Sequence, residues 1–347
     1  MPKAKAPKKT LQLAVVGTDS LRGQEIKNIL SDKKFPAFEI SFFDPEVKEE
    51  YSKLTQFKKE PMVVRALVAD SLDGKDLIFL STDPETSRSI RERAAQARFR
   101  AIDLNETFNA DEAVPLVVAG VNDGLLAGGA PAFVATPHPA AVILAHLFHR
   151  LVPPFGLARA VSFVLQPVSA FDDPGIQELA SQGVALLSGA APKKKIFCEQ
   201  IAFNILSQAE AAEDSGPYAA ESRIVAEVRR VVGRPDLPLV LAVIQAPVFH
   251  TYSLMTYLEL SRDASPEEVE FVLAESPVFK VALAGEESCP ASAITVSGKD
   301  EIYVGRITAE AENPRAFWVW LVADNLTRGS ALNAFELART ILGAKTR

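Results

Sequence analysis

The stretch Ala135-Thr136-Pro137-His138-Pro139-Ala140-Ala141 is where this sequence comes nearest to a reactive arrangement. It follows an apolar run, residues 131–135, and precedes a helical pattern over 142–152. A strand that enters a tight turn and then a helix exposes one side chain at the turn, beside a helix N-terminus that stabilises an anion. This is a place where α/β enzymes often set a nucleophile. Here the position that would carry one is Pro139, which has no reactive group. His146 and His149 stand three residues apart on the helix that follows, a spacing open to metal chelation and equally to plain packing.

A second constellation lies near the start of the chain. Residues 11–16 form a short apolar strand, Gly17-Thr-Asp-Ser-Leu-Arg-Gly23 follows, and residues 24–30 read as a helix. Strand, glycine turn and helix make the layout of a dinucleotide-binding unit, in which glycines let the backbone approach a pyrophosphate. Only the first and last glycines of the pattern are present, with Ser20 in the middle. Gly17, Ser20 and Gly23 are therefore either a phosphate cradle or a structural turn. Asp44 ends a second strand, residues 38–43. It could accept hydrogen bonds from an adenine ribose and would repel a 2′-phosphate, which favours NAD over NADP. Asp44-Pro45 reads equally well as a turn alone.

These residues need elements to place them. Further strands are expected over 62–68 and 76–81, a charged helix over 86–97, and apolar segments over 100–102 and 114–121. Strands alternating with helices predict an α/β fold with an N-terminal Rossmann-like dinucleotide-binding domain. From about residue 160 the texture changes. Helices are expected over 174–188 and 218–232, the second with Glu221, Arg223, Glu227 and Arg230 as its charged side. Strands are expected over 159–168, 238–249, 253–260, 278–283, 293–296, 301–309 and 317–323. Such a series implies a central α+β domain with a mixed or antiparallel sheet, one face free to cover a partner. A helix over 328–342, capped by Gly343, closes the chain.

Composition narrows the classes. The 347 residues are 48% hydrophobic and carry a net charge of −7, which gives no general drive toward nucleic acid. No run of eighteen apolar residues is present, so no transmembrane helix is expected. Residues 1–10 hold four lysines and two prolines and read as a disordered, solvated lead-in rather than a signal peptide. Cys198 and Cys289 lie far apart and read as reduced, ordinary thiols in a cytoplasmic protein.

Eight blocks resemble the aspartate-semialdehyde dehydrogenases, in that family's order and over nearly the whole chain. They include Ala14-Val-Val-Gly17 with Gly23-Gln-Glu25, Ile102-Asp103, Val114-Pro-Leu-Val-Val118, Gln166 with Val168-Ser169, Gln200-Ile-Ala-Phe-Asn204, Pro247-Val-Phe249, Gly298-Lys-Asp300 and Val322-Ala-Asp-Asn325. The resemblance implies a dinucleotide-binding-like domain of residues 11–135 and 327–347, and a catalytic-type domain of residues 136–326 that also forms a homodimer. It implies NADP-dependent reductive dephosphorylation of an acyl phosphate through a cysteine thioacyl intermediate, with a histidine as acid/base partner. The family's Asn-Pro-Asn-Cys-Ser-Thr turn falls on Thr136–Ala141, so its cysteine is Pro139. Its histidine falls on Tyr252. Its substrate-carboxylate arginine falls on Gln245 and its phosphate-binding arginine on Asn109. Its paired nicotinamide-side glycines fall on Asp83-Pro84, and its middle turn glycine on Ser20. Gln166, which helps orient the acyl group in that family, and Asn325, grouped with the cofactor side, are retained. Glu221 and Arg223 fall near a substrate-binding pair.

Gln245 in Val243–Phe249, with Glu221–Val225 and Glu227–Arg229, looks nearer to the Usg-type branch, which also departs at the active site. The expectation is a homologue that lacks the catalytic residues and acts as a dimeric binding or scaffold protein. The alternative is an NAD(P)-dependent semialdehyde dehydrogenase or oxidoreductase of altered or residual activity in amino-acid biosynthesis. In the resembled fold the turns of His138 and His250 face each other. These histidines and Tyr252 could then form a new acid/base cluster, a metal site, or the filling of a disused pocket; no metal is expected. The partners expected are a second copy of the chain and an unknown small molecule or protein, with no nucleic acid and no membrane.

Overall fold

The computed structural model describes residues 10–48, 50, 53–97, 99–127, 129, 131–207, 219–281 and 291–343. The Lys-rich lead-in up to residue 9, the 210–217 loop and Cys289 lie outside the described residues. The chain divides into two compact units, each with its own sheet.

The first unit comprises residues 1–119, 123–136 and 333–347. Its elements are β1 (Leu11–Val16), α1 (Leu21–Asp32), β2 (Phe38–Asp44), β3 (Lys53–Phe57), β4 (Glu60–Ala66), β5 (Leu77–Leu80), α2 (Pro84–Ala97), β6 (Arg100–Asp103) and β7 (Phe133–Ala135). The seven strands are ordered β3-β4-β2-β1-β5-β6-β7 and are parallel except for β3, which pairs antiparallel with β4 as an edge hairpin. β5 is fully buried along its whole length, as a strand inside a parallel sheet should be. Residues 114–121 do not form a strand. Pro115 and Gly120, the latter at φ +75°, interrupt the run, and one bridge from Leu116 to Ala135 is all that pairs.

Asp103 at the end of β6 shows what this packing does to an ionisable group. It is fully buried and accepts from the Thr107 amide at 3.0 Å. Burial pushes its carboxyl from 3.8 up to about 7, against the pull of those amides and of Arg22. A raised folded pKa means that the folded state holds the proton more tightly. The stability this group supplies is therefore complete below about pH 4 and is lost as pH rises toward 7. We expect Asp103→Asn to remove that slope. Its stability relative to the parent should grow by roughly 1–3 kcal/mol between pH 4 and 8 in denaturant titrations. A constant difference across this range would show that the carboxyl is not held protonated.

The second unit comprises residues 120–122 and 137–332. Its elements are α3 (Pro139–Phe155), β8 (Arg159–Gln166), α4 (Asp172–Leu187), α5 (Ala219–Val232), β9 (Leu239–Gln245), β10 (Tyr252–Glu259), α6 (Pro266–Ala274), β11 (Phe279–Val281), α7 (Ala293–Val296), β12 (Ile302–Glu310) and β13 (Asn313–Ala323). Six strands are ordered β11-β12-β13-β10-β8-β9. The two outer pairs are parallel and the three inner pairs antiparallel, so the sheet is mixed. One face packs on α3 and α5 through Ile143, Leu147, Ile224, Val228, Leu254 and Leu321. α3 is apolar nearly all round, which suits a helix at the centre of a core. Residues 293–296, expected as a strand, are instead the short helix α7. Ser292 and Thr295 cap each other there, and local capping outweighs the β-branched side chains. The last helix, α8 (Leu332–Ile341), is preceded by a wide turn over Thr327–Ala331 and returns the chain to the first unit. There Asn333 accepts from the Ala119 amide and donates to the Val117 carbonyl.

Candidate functional site

The β7 strand ends at Ala135, and α3 begins with His138 as its N-cap and Pro139 as its first residue. Proline suits that position because its missing N–H would have no partner in the helix. It is also packed: a Cβ at Gly329 would come within 2.7 Å of Pro139 Cβ. Position 139 thus carries no reactive group and has a neighbour pressed against it.

His138 Nδ1 accepts the Ala140 amide at 3.1 Å, which caps the helix. An accepting Nδ1 carries no hydrogen, so the proton of the neutral ring sits on Nε2. Nε2 lies 3.2 Å from the Tyr252 hydroxyl. That hydroxyl donates to Gln166 Oε1 at 3.0 Å, and Gln166 Nε2 donates to Gln245 Oε1 at 3.1 Å. Gln245 Nε2 then donates to the backbone carbonyls of Gln166 and Ala246. The bonds all run one way, from the helix amide through His138, Tyr252 and Gln166 to Gln245. His138 and Tyr252 also meet edge to face, with ring centroids 5.4 Å apart. His138, Tyr252 and Gln245 are buried.

Three residues hold the frame. Glu227, on α5, is buried and accepts the His138 amide at 2.7 Å, fixing where α3 starts. It was expected on the charged side of its helix. It lies instead among Ile224, Val228 and Val231, at i+3 on their face. Asn325 accepts the Thr251 amide at 3.0 Å and bonds Ser169. Thr251 has φ +75°, an uncommon conformation for a β-branched residue, and it sets the entry of Tyr252 into β10. Thr251 carries no local signal as a site residue, and Ser169 and Glu227 enter the sequence reading only as members of resembling blocks. The 224, 227, 228, 231 spacing could have exposed Glu227.

Other expected residues stand elsewhere. His250 does not join the His138–Tyr252 pair, and its Nδ1 is buried without a hydrogen-bond partner. Glu221 accepts the Val243 amide at 3.2 Å. Arg223 is half exposed and stands 3.9 Å from Glu227. His146 is buried, its pKa pushed down to about 3 by desolvation and by Arg328 and His149, while His149 is exposed. A pair split between core and solvent is poorly placed to chelate. Among the described residues no group of three or more His, Cys, Asp or Glu could hold a metal ion. Cys198 is exposed.

In the first unit, Gly17 has φ +83°, and a Cβ there would fall 1.9 Å from the Ser81 carbonyl oxygen. A Cβ at Gly23 would fall 2.0 Å from the Gly17 oxygen. Packing alone therefore demands both glycines. Ser20 caps α1 by accepting the Gly23 amide at 3.0 Å, and its hydroxyl lies 2.6 Å from that of Ser81. One amide that a pyrophosphate could take is already satisfied. Asp44 is buried and accepts the Glu46 amide at 3.0 Å, so it does cap a turn; burial pushes its carboxyl up. Asn109 is buried on the turn after Phe108. Asp83 caps the start of α2 by accepting the Thr86 amide at 2.9 Å.

A family model described as the NAD-binding domain of semialdehyde dehydrogenase matches residues 12–128. A second, the semialdehyde dehydrogenase dimerisation domain, matches residues 149–328. A USG-1 protein homolog from Azotobacter vinelandii is 29% identical, over 96% of this chain and 98% of its own length. An aspartate-semialdehyde dehydrogenase from Prochlorococcus marinus is 26% identical, over 97% of each chain. A solved structure of a probable aspartate-semialdehyde dehydrogenase from Pseudomonas aeruginosa is 29% identical and superposes with a TM-score of 0.87, over 96% of this chain and 99% of its own. Matched by both models along most of its length, this chain belongs to the semialdehyde dehydrogenase family.

Proposed function

We propose that this chain is a dimeric binding protein on a dehydrogenase scaffold, and that it does not carry out the acyl-phosphate reduction of its catalytic relatives. One observation carries the reading: where the family would place a thiolate and its acid/base partner stand Pro139 and the closed chain His138–Tyr252–Gln166–Gln245. Covalent catalysis needs a nucleophile and a base with a lone pair facing it. Proline supplies no nucleophile. His138 uses Nδ1 to cap its helix, and its Nε2 hydrogen faces Tyr252. The direct test is phosphate-dependent nucleotide reduction with aspartate semialdehyde.

The dimer reading rests on the outer face of the six-stranded sheet. Phe163, Met255, Tyr257 and Trp318 share that face, since Met255 pairs with Phe163 and Tyr257 with Trp318. Phe163 is 41% exposed, Val240 55% and Trp318 38%. An apolar sheet face of this kind suits burial against a second copy, and it lies within the residues that match the dimerisation domain.

For the nucleotide, the turn at Gly17–Gly23 holds itself together without a ligand, through Ser20. Asp44 is the feature that favours a nucleotide, and it would favour one without a 2′-phosphate. Thermal unfolding should show no rise with millimolar NAD or NADP. A ligand at one hundred times its Kd would add about 2.7 kcal/mol, and a rise of that size would contradict an architectural turn.

A further inference from the structure

Among the described residues, no helix packs on the outer face of the β3–β4 hairpin. α1 covers the opposite face, where Lys27 donates to Thr55 at 2.6 Å. The connection from β4 to β5, residues 67–76, contains no helix. A doubly wound sheet usually buries both faces under helices. Here Leu54 and Val63, directly opposite each other in the hairpin, are 66% and 44% exposed. Val68 on the connection is also exposed.

A cavity of about 590 Å³ opens on this face, within the ~300–1,000 Å³ common for small-molecule sites. None of Gly17, Ser20, Gly23 and Asp44 lines it. Its apolar wall is Phe43, Val63 and Val68. Arg65 pairs in register with Phe43, and Lys75 reaches across to donate to Ser41 at 2.7 Å. Burial first, and then the Arg65 charge, pull the Lys75 pKa down, against a weaker upward pull from Glu39. The wall is preformed: Ser71 accepts the Val68 amide and donates to the Ala66 carbonyl.

Charge decides the ligand class. Of the lining carboxylates, Asp73 faces Arg93 at 3.4 Å. Glu39 nearby accepts from Gln12 at 3.0 Å. That leaves Arg65 and Lys75 together with Glu50 and Asp70 in the lining, two positive and two negative groups around an aliphatic surface. A plain anion would meet two carboxylates, and a plain cation would meet two cations. We propose that this cavity binds a small zwitterion with an aliphatic body, an α-amino acid or dipeptide. Its carboxylate lies toward Arg65 and Lys75, its ammonium toward Glu50 and Asp70, and its side chain against Val63 and Val68.

Isothermal titration of the full chain with L-leucine and with L-leucyl-L-leucine tests this, with hexanoate and hexylamine as probes of each charge alone. At least one zwitterion should bind saturably, and both single-charge probes should bind at least about tenfold more weakly. Arg65→Gln with Lys75→Gln should reduce zwitterion affinity by at least about tenfold. An unchanged melting curve would show the variant folded, and Val63→Thr provides a second variant if it is not. Saturable binding lost in both variants supports the site. Absence of binding by both zwitterions at ~20 mM (about 2 kcal/mol of affinity), equal binding by hexanoate, or undiminished binding by the folded double variant would overturn it.

Discussion

Glu227→Ala is expected to lower the stability of the second unit by about 3 kcal/mol, and Glu227→Gln by about 1 kcal/mol. The carboxylate is buried and accepts the His138 amide at 2.7 Å, a charge-assisted bond worth roughly 1.5–3 kcal/mol. Alanine would leave that amide without its acceptor at the start of a helix that is buried almost throughout, and would leave a cavity beside Val228. Glutamine keeps an acceptor oxygen and loses only the charge. Urea titration of the three proteins separates these outcomes. Equal stability of Glu227→Ala and the parent would mean that α3 is placed by its apolar contacts alone.

Gly17→Ala is expected to cost about 2–6 kcal/mol, which is enough to unfold the first unit in many proteins of marginal stability. Two terms add. A positive φ strains any residue with a Cβ by roughly 1–3 kcal/mol. The new Cβ would also fall 1.9 Å from the Ser81 carbonyl, which belongs to the backbone and cannot rotate away. Relieving that clash costs roughly 1–3 kcal/mol more. Ser20→Gly provides the contrast. It removes the cap of α1 and should cost only a few tenths of a kcal/mol to about 1 kcal/mol. Melting curves of both variants, read with the same probe, check the ranking. If Gly17→Ala melts like the parent, the glycine is not required by packing and a ligand-binding role regains weight.

The architecture was legible because strands alternating with helices give way near residue 160 to a strand-rich series. The near-continuous apolar run at 76–81 reads as a buried parallel strand and is one. The long consecutive runs at 253–260 and 317–323 read as strands of an antiparallel or mixed sheet, and they pair with each other. Misreadings came where local polar chemistry overrode propensity. Ser292 and Thr295 turned β-branched residues 293–296 into a capped helical turn. β3, residues 53–57, was not expected at all, because Lys53, Thr55 and Gln56 weaken the apolar signal of an edge strand.

The candidate site was less legible. Pro139 and Tyr252 are visible as residue types, and the placement of Tyr252 beside His138 agrees with the two turns facing each other. Which nitrogen of His138 caps α3, and the single direction of the bonds through Gln166 to Gln245, depend on side-chain geometry that no spacing encodes. His250 illustrates the limit: it lies two residues from Tyr252, yet it stays out of the pair. Glu227 was hidden by its charge, since a buried carboxylate on an apolar helix face looks like surface until its amide partner is known.

On the proposed reading, the His138–Tyr252–Gln166–Gln245 chain has replaced the machinery for thioacyl chemistry. Its most direct test is a steady-state assay at high protein concentration, with aspartate semialdehyde, inorganic phosphate, and either NAD or NADP. No phosphate-dependent nucleotide reduction above a heat-inactivated control is expected, and none in Tyr252→Phe. Saturable, phosphate-dependent reduction by the parent chain that disappears in a folded Tyr252→Phe variant would contradict it.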